Sequence, residues 1–173
     1  MNCKRTARSR KTASKPLKAA LKLNAIQGRV LDFGCGKGRD VQELQELGYK
    51  VVGYDPHFQP TKPHGRFQTV LMTYVVNVLQ PKERNKALQE AWDRVKKGGR
   101  LIVTARPPRD VEWEAARGNW KKTAWGYITG SGTYQRGYTL DQLQRVLRQL
   151  EGFRNMQTGP INAGGAMILM LKD

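Results

Sequence analysis

The sequence VLDFGCGKGRD, residues 30–40, joins a short apolar run to an acidic residue and then to glycines at alternate positions. Residues 29–33 read as a buried strand, because the apolar run is short and a glycine cluster closes it. Gly34, Gly36 and Gly38 then let the backbone turn tightly against a bound ligand. The spacing is G-x-G-x-G, whereas dinucleotide-binding folds use G-x-G-x-x-G. With Lys37 and Arg39 where they stand, that fingerprint fails.

On the amino-terminal side, Ser14 and Pro16 offer a cap and an early helical position. Leu17, Ala20, Leu21 and Leu23 form the apolar stripe of a short helix expected to end by Gln27 or Gly28. On the carboxyl side, Val41, Leu44 and Leu47 mark the inward face of a second helix, which Gly48 stops. KVVGY, residues 50–54, is a strand ending at Asp55-Pro56, and Pro60, Pro63 and Gly65 mark a loop. TVLMTYVV, residues 69–76, is long and β-branched enough for a central parallel strand. Pro81 opens a helix predicted to run through Lys97, stopped by Gly98-Gly99, and RLIVTA, residues 100–105, is the next strand. Residues 139–150 read as an amphipathic helix capped by Thr139, followed by strands near residues 153–158 and 166–171. This order predicts a compact Rossmann-like α/β sheet with helices on both faces and a late antiparallel strand or hairpin.

Charge is the informative bulk property. The chain of 173 residues holds 31 Lys and Arg against 14 Asp and Glu, a formal net charge of +17. Eight of the basic residues lie within residues 1–22, which hold no acidic residue, so residues 23–173 carry the remaining +9. Such an excess favours a polyanionic partner, nucleic acid above all. Residues 1–14 lack apolar periodicity and read as a flexible basic tail, with one domain over residues 15–173. No apolar run is long enough for a bilayer span, and a soluble, cytoplasmic protein is expected. Two cysteines, Cys3 and Cys35, and two histidines, His57 and His64, do not assemble a four-ligand zinc site, and no metal is expected.

The glycine segment resembles motif I of class I S-adenosylmethionine-dependent methyltransferases. That resemblance implies Asp32 near the cofactor's amino group, partly through water, and residues Gly34, Cys35, Gly36 and Gly38 lining its methionine moiety. A second element agrees: VVGYDP puts Asp55 at a strand end 23 residues beyond Asp32, where a carboxylate can accept both ribose hydroxyls, with Pro56 beside it. The plainer alternative for Asp55 is the start of an Asp-Pro turn.

Three further stretches, DPHFQP, TYVVNVLQPKERNKALQEAW and WGYITGSGTYQRGYTLDQL, are similar to methyltransferases associated with DNA phosphorothioation gene clusters. The match spans roughly residues 28–150. It implies a fold reduced around the third strand, S-adenosylmethionine as cofactor and DNA modification as the setting. Tyr74 and Asn77 fall where strand ends meet cofactor and acceptor, so they are the candidates for positioning the nucleophile, with Tyr74 also beside the cofactor. An Asn77 amide oxygen could accept from an exocyclic amine. The structural alternatives are a helix cap for Asn77 and core packing for Tyr74.

The usual amino-methyltransferase signature D/N/S-P-P-Y/F/W is absent after this strand, which reads Asn77-Val78-Leu79-Gln80, and Pro107-Pro108 lies one strand later. No Pro-Cys nucleophile is present either, so direct displacement at the methyl group is expected. Residues 106–138 break the α/β rhythm and read as an aromatic and basic insertion over the carboxyl edge of the sheet. Within it Arg106, Trp120, Lys121, Lys122, Trp125, Tyr127 and Tyr134 are candidates for stacking an extruded or single-stranded base and holding its phosphates. Covering the sheet edge is the duller role for the same aromatics. The functional expectation is a DNA base methyltransferase acting at an exocyclic nitrogen, with either relaxed sequence specificity or recognition supplied by a protein partner. The alternatives are a small-molecule methyltransferase and a non-catalytic nucleic-acid binder of the same fold.

Overall fold

The computed structural model describes residues 6, 7, 9–160 and 163–173. Its centre is a six-stranded sheet formed by β1 (Val30–Phe33), β2 (Val51–Tyr54), β3 (Phe67–Thr73), β4 (Val95–Ala105), β8 (Phe153–Thr158) and β9 (Ala166–Lys172), in the order β2-β1-β3-β4-β9-β8. β1 pairs in parallel with β2 and β3, and β3 with β4. β9 then runs antiparallel between β4 and β8, so the expected late hairpin is present. β2 is an edge strand, and a loop leads from it straight to β3, as the expected reduction around the third strand requires.

Helices cover both faces. α1 (Lys15–Lys22) and α2 (Arg39–Glu46) pack Leu17, Ala20 and Leu44 against Val30, Leu71, Ile102 and Met167. α3 (Pro81–Asp93) and α5 (Leu140–Leu147) pack Leu88, Trp92, Leu143 and Leu147 against Leu31, Val70, Met72, Leu101 and Ile168 on the other face. Successive strand residues go to opposite layers, as the pleat demands. None of the helices among the described residues is long and apolar enough to cross a membrane.

Several boundaries differ from expectation. α1 stops at Lys22, with Asn24 at φ 51, and Leu23 is exposed while Ala25 and Ile26 fill the core from an extended segment. Leu47 is likewise exposed, because α2 has already ended there and Gly48, at φ 84, turns the chain away. α3 ends at Asp93, not Lys97. Val95 is pulled into β4 opposite Phe67, the two being fully buried, and a register shift follows before Thr69 meets Arg100. β3 ends at Thr73, since Tyr74 has φ 62, a left-handed conformation costly for a bulky side chain.

Residues 106–138 hold α4 (Pro108–Arg117) and a separate three-stranded sheet of β5 (Lys121–Lys122), β6 (Tyr127–Ile128) and β7 (Tyr134–Gln135). Met1–Arg5 and Arg8 of the tail lie outside the described residues. The tail residues nearest the domain are packed down: Ala13 and Ser14 are buried, and Arg10 pairs with Asp40 at 3.3 Å. Asp40 draws that part of the tail onto α2.

Candidate active site

The carboxyl ends of β1, β2, β3 and β4 open into one cleft of about 1910 Å³. This is the edge at which open parallel sheets place their ligands. Gly34, Cys35, Gly36, Asp55, Pro56, Tyr74, Asn77 and Arg106 all line it.

The glycine loop is conformationally committed. Gly34 has φ 82, and a Cβ there would collide with the Val75 side chain. The loop is held to β2 by Gly34 N–H and Cys35 N–H donating to the Tyr54 carbonyl at 2.7 and 3.1 Å. Gly36 N–H donates to Asp55 Oδ2 at 3.1 Å. Gly38, also left-handed, is the N-cap of α2 and lies outside the cleft lining.

Asp55 starts the turn of its plainer reading. Its Oδ1 accepts from the N–H groups of His57 and Phe58 at 2.9 and 3.1 Å, the turn that an Asp-Pro start implies. With Oδ2 tied to Gly36, three of a carboxylate's roughly four acceptor positions are engaged. One remains for a hydroxyl in the cleft.

Asp32 lies behind the loop and outside the cleft lining. It is 3% exposed and accepts no hydrogen bond from the described residues. Burial, and secondarily the neighbouring Asp40, push its carboxyl up to about 8. With no side-chain hydrogen-bond donor among the described residues and only the Arg10 charge to offset burial, this acid suits a cation or a water-borne donor. The ammonium end of an amino-acid moiety on the glycine loop supplies one, so these residues fit S-adenosylmethionine. Cys35 is buried and its thiol is pushed up to about 12 by burial and then by Asp32, so it supplies no thiolate nucleophile.

Tyr74 and Asn77 part company. The Tyr74 hydroxyl donates to the Gly164 carbonyl at 2.8 Å, placing the ring across the mouth between β3 and the β8–β9 connection. Asn77 is fully buried, and its carboxamide is consumed by backbone: Oδ1 accepts from Arg106 N–H at 3.0 Å, and Nδ2 donates to the carbonyls of Arg106 and Arg136 at 3.4 and 2.5 Å. The expected grip on an acceptor amine therefore gives way to a structural clamp. Gln80, not Asn77, caps α3.

The insertion residues are mostly elsewhere. Arg106 reaches the cleft, held by Glu114 through two hydrogen bonds of 3.2 and 2.8 Å. Trp120, Lys121, Lys122, Trp125, Tyr127 and Tyr134 do not line it. Tyr134 is buried and donates to the Trp125 carbonyl at 2.5 Å, which stabilises the small sheet, and Trp125 itself is exposed.

Ser14, expected only as a helix cap, anchors the tail beside the site. Ser14 donates to Asp40 through both its N–H, at 2.8 Å, and its hydroxyl, at 2.6 Å, and caps α1 by accepting from Leu17. Tyr138 and Gly164, not singled out from the sequence, line the cleft. The contacts that recruit them are long-range, and only the capping pattern at Ser14 was visible locally.

A methyltransferase-domain family model matches residues 5–158. By sequence, no curated protein matches the chain. Among solved structures, a Burkholderia thailandensis 1,6-didemethyltoxoflavin N1-methyltransferase, bound to 1,6-didemethyltoxoflavin and S-adenosylhomocysteine, has TM-score 0.60 at 18% identity over 91% of this chain and 75% of its own. A possible histamine N-methyltransferase from Thermotoga maritima has TM-score 0.60 at 20% identity over 92% and 88%. Human N-acetylserotonin methyltransferase in complex with S-adenosylmethionine has TM-score 0.64 at 18% identity over 91% of this chain and 50% of its own. With its glycine loop, its strand-end carboxylate and a family match spanning most of its length, the chain belongs to the methyltransferase-domain family.

Proposed function

We propose that this protein is an S-adenosylmethionine-dependent methyltransferase whose acceptor is a nitrogen of a nucleic-acid base, DNA ahead of RNA. The observation that carries the substrate class is the cleft's charge: Lys and Arg outnumber Asp and Glu along its lining by ten to four. A phosphate-bearing acceptor suits such a lining, and a small cationic amine does not. The resemblance to the phosphorothioation-associated subgroup supports DNA, and the small three-stranded sheet offers Trp125 and the basic pair Lys121 and Lys122 beyond the cleft for flanking nucleotides.

S-adenosylmethionine is the methyl donor; bound, it would supply a methyl carbon on a sulfonium, whose transfer to nitrogen leaves a neutral thioether while the displaced N–H proton passes to solvent. The chain's part is alignment and exclusion of water. Gly34–Gly36 and Asp55 would hold the donor from one wall. Tyr74, whose proton is spent on Gly164, keeps lone pairs that can accept an acceptor N–H and orient the nitrogen. With Cys35 buried and un-ionised, direct displacement needs no covalent intermediate.

The second reading, methylation of a small molecule, is favoured by the solved neighbours, which include enzymes for toxoflavin precursors and N-acetylserotonin. Incubation with methyl-labelled cofactor and DNA, RNA or free nucleosides, followed by digestion, separates the two. A labelled base released from polymer supports the proposal. Label confined to free small amines overturns it.

A further inference from the structure

Helix α1, KPLKAALK, contains no acidic residue and buries Pro16, Leu17 and Ala20. Its other face carries Lys15, Lys18 and Lys22, at i, i+3 and i+7, all exposed and all lining the cleft. None of the three is paired with a carboxylate among the described residues. Like charges at these spacings repel, and Lys15 also stands at the helix amino terminus, where the macrodipole disfavours a cation. An anion laid along this face relieves both penalties.

The stripe starts at the reacting end of the cleft. A Cβ on Gly164 would lie 3.1 Å from Lys15 Cβ and would also collide with the Tyr74 hydroxyl, so Lys15 and Tyr74 meet at the same glycine. From there Lys18 and Lys22 continue outward, spanning about 10 Å along the helix axis.

Resting on the nucleic-acid reading above, we propose that Lys15, Lys18 and Lys22 form the phosphate ledge of the acceptor site, along which a single strand lies with its target base turned toward Tyr74. The strand's backbone, not the base, supplies most of the affinity on this face, and the ledge fixes which nucleotide reaches the methyl group.

Anisotropy of a short fluorescein-labelled single-stranded oligodeoxynucleotide, titrated over a range of salt, tests this. Replacing all three lysines by Gln should weaken binding and reduce the slope of log K against log salt by about 2. The equal-charge control, Gln at Lys96, Lys97 and Arg154, exposed at the opposite edge of the sheet, should change the slope by much less. The triple Arg variant should restore the slope. S-adenosylhomocysteine affinity should match wild type in all three, and the thermal midpoint of the ledge Gln variant should be no lower than wild type, since it loses the repulsion between the lysines.

Equal losses in the ledge and control variants would overturn the ledge while leaving nucleic-acid binding intact. A wild-type chain that binds no oligonucleotide even at low salt would overturn the ledge and the nucleic-acid reading together.

Discussion

The Asn77 carboxamide closes on the Arg106 backbone from both sides, accepting from its N–H at 3.0 Å and donating to its carbonyl at 3.4 Å. This pairing joins the turn after β3 to the end of β4, so two walls of the cleft are fastened by one buried side chain. Nδ2 adds Arg136, tying in the segment that returns from the small sheet.

Asn77→Ala is therefore a stability variant before it is a catalytic one. It strands the part-buried Arg106 N–H, which costs about 1–3 kcal/mol. For a chain of this size that corresponds to a fall in Tm of roughly 2–4 °C per kcal/mol. Calorimetry should show the lower Tm, with S-adenosylhomocysteine affinity changed far less. An unaltered Tm would contradict the clamp.

Gly34→Ala should do the reverse to the ligand. A left-handed φ and the Val75 side chain both oppose a Cβ there, and the strain falls on the loop that lines the cofactor cleft. Cofactor affinity should drop by at least tenfold, with a stability loss of about 1–3 kcal/mol for the backbone strain. Retained affinity in titration calorimetry would place the cofactor elsewhere.

How far the sequence revealed the site depends on the range of the forces involved. β1, the glycine loop and Asp55 were legible because strand period, turn glycines and a strand-end acid are local patterns. The insertion's helix α4 was hidden by Pro107-Pro108, although proline is at home in a first turn, and Val111 and Ala115 do repeat at i, i+4. Lys97 was assigned to a helix because Val95 satisfies the helical stripe equally well. Only its pairing with Phe67 turns it into a strand residue. Asn77 was misread for the same reason: its partners are 29 and 59 residues away, and no local pattern announces them.

Tyr74→Phe separates positioning from binding. It removes the hydrogen bond to Gly164 and the lone pairs that would receive an acceptor N–H, while leaving the ring in place. We expect kcat to fall about tenfold, the equivalent of one hydrogen bond made to the reacting group, with cofactor Kd unchanged. A variant with wild-type kcat would remove Tyr74 from the acceptor site.

Asp32 gives the pH dependence, and its sign follows from the direction of the shift. Its carboxyl rises from 3.8 to about 8 on folding, chiefly through burial, so the folded state holds a proton that the unfolded state has lost. Its contribution to stability is thus fully present below about pH 4 and is lost as pH rises toward 8. Asp32→Asn, which cannot ionise, should gain stability relative to wild type across that window. The cofactor's ammonium favours the carboxylate, so binding near neutral pH should expel the proton. Titration calorimetry of S-adenosylhomocysteine in phosphate and in Tris should then give enthalpies that differ in proportion to a proton released, at most one. The difference should vanish in Asp32→Asn and shrink above pH 9, where the acid is already ionised. Equal enthalpies in both buffers at neutral pH would mean that the ammonium does not reach Asp32, even through water.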